Sequence, residues 1–235
     1  MRCICVLGMH RSGTSCLTGI MQGLGVELGE VFTANPFNKR GNRENARIMQ
    51  LNDEILEFNG GAWDKPVQVQ AWNDAHRRER DAIVREIQDR AGQFWGFKDP
   101  RTLLTLPFWL EAGIDPLFIA TLRQPLRVAL SLHDRNKMPL EQGLQLWQAY
   151  NQRLLALWTA RPFPLIDFDL EPVPYLAAVV AGLLSLGLDP ELADQATGFF
   201  SQDLRAQILV DVGDSPLPPG ILDLYLRLRE CSGRS

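Results

Sequence analysis

Early in the chain the spacing of apolar residues changes in a way that dictates local structure. Arg2-Cys-Ile-Cys-Val-Leu7 is an almost unbroken apolar run, as in a strand buried on both faces. Leu17, Ile20, Met21 and Leu24 then recur at helical spacing as far as Gly25. The spacing predicts strand, tight loop, helix. From Val26 to Gly41 the chain is rich in Gly, Asn and Pro, which predicts a surface loop, and loops of that length are commonly functional. Helical spacing resumes from Arg43 to Phe58 through Ile48, Leu51, Ile55 and Leu56. Asn73 or Asp74 is then placed to cap a strongly charged helix running to about Ala91.

The same order repeats downstream. Phe94-Trp-Gly-Phe97 predicts a short buried strand ending at Lys98-Asp-Pro-Arg101. Leu117 to Leu122 predicts another, broken by Arg123-Gln-Pro125, with Pro125 suited to the first position of a helix through Asn136. Leu140 to Thr159 reads as an amphipathic helix and Pro164 to Phe168 as a short strand. The remainder is mostly helical, from Tyr175 to Leu186 and again after Pro190 and Pro218. Strands alternating with helices imply an α/β fold with a mainly parallel sheet covered on both faces. Ligands of such sheets sit outside the carboxyl ends of the strands, where the candidate loops fall.

Composition narrows this picture. With 235 residues, 46% of them hydrophobic, the chain can build one sizeable core, and a single domain over 1–235 is expected. A net charge of −4 argues against a general nucleic-acid or membrane-surface binder, so any anion site must be local. Cys3, Cys5, Cys16 and Cys231 form no C-x-x-C pair and no zinc-type cluster with histidine, and are expected as reduced thiols. Met1 leads straight into the first predicted strand, leaving no room for a signal peptide, and no apolar run approaches membrane-spanning length. A cytoplasmic protein is expected.

The chemistry concentrates in Gly8-Met-His-Arg-Ser-Gly-Thr-Ser15. This string nearly fits the nucleotide-loop pattern G-x-x-x-x-G-K-[ST], except that Thr14 stands at the lysine position and the cation has moved to Arg11. Gly8 and Gly13 permit sharp turning, so the amides from about Arg11 to Ser15 can face an anion at a helix N-terminus. Thr14 and Ser15 add hydroxyls, and Arg11 adds a charge with fork geometry. Arg123 ends one strand and Ser131 lies eight residues on, two turns into the next helix, so both can reach one phosphate. Lys98 at the end of another strand is placed either in a salt-bridged turn with Asp99 or to neutralise charge on a group in transfer.

Taken together, these elements resemble those of sulfotransferases. Residues 8 to 15 are similar to the 5'-phosphosulfate loop, Arg123-Gln-Pro-Leu-Arg-Val-Ala-Leu-Ser131 to the 3'-phosphate element, and Lys98-Asp-Pro100 to the Lys-Asp-Pro of tyrosylprotein sulfotransferases. The resemblance spans about the first 135 residues. It implies a three-layer, P-loop-like α/β fold that uses 3'-phosphoadenosine 5'-phosphosulfate (PAPS) as sulfuryl donor and releases 3'-phosphoadenosine 5'-phosphate (PAP). By position it also implies that Arg11, Ser12, Gly13, Thr14 and Ser15 hold the 5'-phosphosulfate, that Arg123 and Ser131 hold the 3'-phosphate, and that Lys98 stabilises the sulfuryl group.

The acceptor's hydroxyl or amine needs a base, and three residues compete for the role. Glu44 comes first, resembling the acidic position after an Asn-Pro-x-Gly stretch in bacterial sulfotransferases; its alternative role is a helix-start glutamate complementing the dipole. Glu30 follows the first helix at nearly the spacing of the base in the tyrosylprotein enzymes, and His10 lies inside the loop and could titrate near neutrality. His76 is expected on a solvated helix face, and Trp63 and Trp72 are suspected of lining an acceptor pocket. Nothing in the sequence calls for a metal. Acceptor identity (sugar, lipid, peptide or small metabolite) and oligomeric state stay open. Two rivals stand beside the sulfotransferase: a kinase-like phosphotransferase using ATP and magnesium, and a nucleotide-binding protein without turnover.

Overall fold

A computed structural model describes residues 1–34, 41–192 and 216–233. The middle of the predicted 26–41 loop (35–40) and the helical stretch expected over 193–215 lie outside the described residues. Four strands form one sheet: β1 (Arg2–Leu7), β2 (Phe94–Lys98), β3 (Leu117–Leu122) and β4 (Leu165–Asp167). Their order is β2-β1-β3-β4 and every pairing is parallel. Val6 lies opposite Lys98, Leu7 opposite Ala120 and Leu122 opposite Asp167, so the strands release their chains along one edge. Beyond β2, Glu27 bridges to Trp95, with the Gly96 amide donating to the Glu27 carbonyl at 2.8 Å, which satisfies part of an otherwise open sheet edge.

The helices are α1 (Thr14–Gly23), α2 (Ala46–Phe58), α3 (Asp74–Arg90), α4 (Thr102–Leu110), α5 (Pro125–Asn136), α6 (Leu140–Ala160), α7 (Pro172–Ser185) and α8 (Pro219–Ser232). Strand alternation divides them into two layers. Cys3, Cys5 and Leu7 of β1 join one apolar cluster with residues of α2, α3, α4, α6 and α8, whereas Ile4 and Val6 join a second with residues of α1 and α7. Three layers follow directly from that two-residue period, as the α/β reading requires. Each fully buried aliphatic side chain contributes about 2 kcal/mol of burial.

Two sequence readings change. Helix α4 is not foreseen, because Thr-Leu-Leu-Thr-Leu-Pro-Phe-Trp-Leu is apolar on nearly every face and contains Pro107, which reads as a breaker. His76 is buried rather than solvated. It occupies the third position of α3, where the Asn73 side chain accepts from the His76 amide at 3.0 Å and the His76 ring accepts from the Asn73 amide at 3.2 Å, a reciprocal cap. All four cysteines are buried and none is in a disulfide, and burial pushes the thiols of Cys3 and Cys5 upward, as expected of inert core residues. No helix among the described residues is long and apolar enough to cross a membrane.

Candidate functional site

The first loop leaves β1 and turns sharply into α1. Gly13 sits at the N-cap with φ 93°, and Arg11 is also left-handed at φ 65°, an uncommon state for a residue with a Cβ. The first helical bonds run from the Cys16 and Leu17 amides to the Gly13 carbonyl. The Thr14 and Ser15 amides therefore lie ahead of the helical ladder, at the positive end of the dipole. Ser12 is turned inward, donating to the Met9 carbonyl at 2.6 Å and sharing a 3.0 Å hydrogen bond with Thr121 of β3. Its hydroxyl braces the loop against the sheet.

The third loop element meets the first one. Arg11 Nε donates to Ser131 Oγ at 2.8 Å across a separation of 120 residues, and Arg123 Nη1 donates to the Arg11 carbonyl at 2.9 Å. Gln124 caps α5 by accepting from the Arg127 amide, and Pro125 follows at its first turn, so the turn that presents Arg123 and the helix that presents Ser131 are built as one piece. Sequence reasoning passed over Arg135, one turn beyond Ser131. After burial, its charge is what lowers the Arg11 guanidinium, and it also contributes to the depression of His10, so its field reaches this corner. An i+4 spacing from Ser131 was the available signal.

Lys98, at the end of β2, is buried. Its ammonium donates to Glu44 Oε1 at 2.6 Å and lies 3.4 Å from Ser15 Oγ. Glu44 is not a first-turn residue of α2: it precedes the Asn45 cap, whose side chain accepts from the Arg47 and Ile48 amides. The backbone at Arg43 and Glu44 is pinned by paired bonds to Phe32, and Asn42 donates to Glu44 Oε2. One step deeper, Asp99 is fully buried and receives the Arg101 amide and guanidinium, while Arg101 also pairs with Asp53 at 2.6 Å. Burial pushes the Asp99 carboxyl up to about 6 against the pull of Arg101.

The other base candidates lie apart from this cluster. The Glu30 side chain is 82% exposed and its described ionic partner is Arg90 at 3.8 Å, so no described contact ties it to Lys98 or to the first loop. His10 is buried against Trp63 and Tyr150, with ring centroids at 4.9 and 5.8 Å, and its Nε2 has no hydrogen-bond partner among the described residues. Burial, then the charges of Arg101, Lys98, Arg135 and Arg11, hold this imidazole well below its ordinary pKa and therefore neutral at neutral pH. Trp63 thus reaches the first loop, whereas Trp72 packs edge-on against Phe108 in the core.

The end of β4 completes the edge. The Phe168 ring fills the space that a Cβ at Gly13 would occupy, 2.2 Å from it, and lies 5.5 Å from the Arg123 guanidinium carbon. Neither a protein-family model nor a curated protein matches the chain. Among solved structures it is similar to a sulfotransferase domain from the curacin biosynthetic pathway, at TM-score 0.57 and 15% identity over 96% of each chain. A sulfotransferase domain from the Synechococcus PCC 7002 olefin synthase aligns at TM-score 0.44 and 14% identity, over 100% of this chain and 94% of that one. The curacin-pathway likeness gives the chain a sulfotransferase-like fold, a parallel sheet between helical layers.

Proposed function

We propose that this protein is a sulfotransferase that moves a sulfuryl group from PAPS to a hydroxyl or amine of an acceptor by direct in-line transfer. The observation that carries the proposal is the junction of Arg11, Ser131 and Arg123, which brings two loops far apart in sequence into one cationic corner. That corner fits a ligand with two separated anionic groups, and the likeness in fold adds support. A nucleotide carrying both a 3'-phosphate and a 5'-phosphosulfate is such a ligand. When bound, PAPS supplies the sulfuryl group, and PAP is left behind.

The residues divide the work by their chemistry. The amides and hydroxyls of Thr14 and Ser15, at the open end of α1, answer the 5' anion, with Ser12 and Gly13 shaping the turn. Arg123 and Ser131 take the 3'-phosphate, and Arg11, already bonded to Ser131, lies between the two grips. Lys98, held beside Ser15, offsets charge on the group in transit, where preorganised cations do most in a water-poor site. Glu44 accepts the acceptor's proton at Oε2, which takes the Asn42 hydrogen bond and not that of Lys98. A buried neutral His10 is a weaker base, and Glu30 stays outside the proposed mechanism.

Calorimetric titration with PAP, ADP and ATP tests this reading. PAP is expected to bind about tenfold or more tighter than ADP, the loss associated with one charged hydrogen bond, and Arg123→Ala is expected to abolish the preference. Equal affinity for PAP and ADP overturns it.

A further inference from the structure

The segment leaving β4 touches both phosphate grips. Asp169 accepts from the Gln124 amide at 2.6 Å through Oδ2 and from Arg127 Nη1 at 2.7 Å through Oδ1, and the same Oδ1 lies 3.9 Å from Arg123 Nε. Its neighbour Phe168 is fixed to β3 by donating its amide to the Leu122 carbonyl at 2.8 Å, with its ring against Gly13 on one side and the Arg123 guanidinium on the other. The Asp169 amide in turn donates to Asp167 Oδ1 at 2.9 Å, and Asp167 Oδ2 lies 3.5 Å from Arg229 of α8. One short segment therefore contacts the first loop, the Arg123 turn and the start of α5.

We infer that Phe168 and Asp169 form a brace that fixes the distance and orientation between the two phosphate grips, with Asp169 acting as a positioning residue for Arg123. The argument is geometric. Arg123 has a flexible stem, and a guanidinium confers selectivity for a phosphate only when its fork is held in one orientation. A carboxylate bonded to the backbone of the next residue and close to the guanidinium's Nε supplies that hold, and the Arg11 carbonyl that accepts from Nη1 fixes the outer edge of the fork against the first loop. The aromatic face beneath the guanidinium limits its remaining swing. This inference rests on the nucleotide reading above.

The test titrates PAP and adenosine 5'-phosphate, which lacks the 3'-phosphate, into wild type, Asp169→Asn, Arg123→Ala and the double variant. Asp169→Asn is expected to weaken PAP binding about tenfold, to leave adenosine 5'-phosphate within about twofold, and to have no further effect in the Arg123→Ala background. A purely structural residue would lower both affinities together and add to Arg123→Ala. Unchanged discrimination in Asp169→Asn, or additivity in the double variant, overturns the brace. If Asp169→Asn does not fold, Phe168→Leu replaces it, with an expected loss of about threefold for PAP alone. If wild type itself does not discriminate, the nucleotide reading fails, and hydrogen exchange at Gln124 to Arg127 decides the brace. Faster exchange there in Asp169→Asn, with β3 unchanged, upholds it, and unchanged exchange overturns it.

Discussion

At Gly13 a single hydrogen in place of a side chain decides whether the first loop can form. Two independent requirements meet there: a φ of 93°, which residues with a Cβ adopt only under strain, and a Phe168 ring 2.2 Å from where the Cβ would sit. Arg11, two residues earlier, already carries left-handed strain, so the loop has little room for more. Gly13→Ala is expected to destabilise the protein by about 2 kcal/mol or more, the sum of a backbone penalty and an overpacked contact. For a chain of this size that lowers the melting temperature by about 4–8 °C in a calorimetric scan. Because Phe168→Ala empties a core position and is destabilising by itself, the steric share is read from a double-mutant cycle: Gly13→Ala should cost less in a Phe168→Ala background than in wild type, with the backbone share remaining. An equal cost of Gly13→Ala in both backgrounds would mean that Phe168 is not the obstacle.

The elements themselves were written in local patterns, and the site was written only in part. Strand β3 and helix α5 begin and end where apolar spacing and Pro125 put them, and residue type narrows the cap of α3 to Asn73 or Asp74, of which Asn73 holds the position. That cap is testable at the scale of its helix: Asn73→Ala is expected to cost about 1 kcal/mol in chemical denaturation, since the side-chain oxygen that accepts from the His76 amide is lost while the backbone amide at 73 can still donate to the His76 ring. Helix α4 was hidden because helical periodicity needs contrast between faces, and a segment buried on nearly all sides has none. The individual residues of the Arg11, Ser131 and Arg123 corner could be named from motif spacing. That Arg11 reaches Ser131 depends on a parallel sheet closing 120 residues of chain, which no local pattern encodes. Asp169 was invisible for the same reason: an aspartate after a short strand is ordinary until the neighbouring turn is seen to donate to it.

Taken whole, this is an acidic molecule, with a net charge of −4, that gathers Lys98, Arg101, Arg123 and Arg11 along one sheet edge and buries most of their length. Such a cluster depresses any base beside it and raises the demand for paired acids, and both effects are visible in how stability should respond to pH. His10 is held below its ordinary value near 6.5 by burial and by Arg101, Lys98, Arg135 and Arg11, so the unfolded chain takes up its proton first. Its contribution is complete above pH 6.5 and is lost as pH falls from there toward the depressed folded value. Asp99 has the opposite sign: raised to about 6 by burial, it favours the folded state below its ordinary value near 3.8, and that contribution disappears as pH rises through about 6. Comparing wild type with His10→Gln isolates the histidine. Between pH 7.5 and 6.0 wild type is expected to lose more stability than the variant, by up to about 1 kcal/mol, read from urea midpoints at the two pH values. Parallel losses would mean that His10 accepts a proton as readily in the fold as in the open chain, and that neither its burial nor the neighbouring cations act on it as its surroundings require.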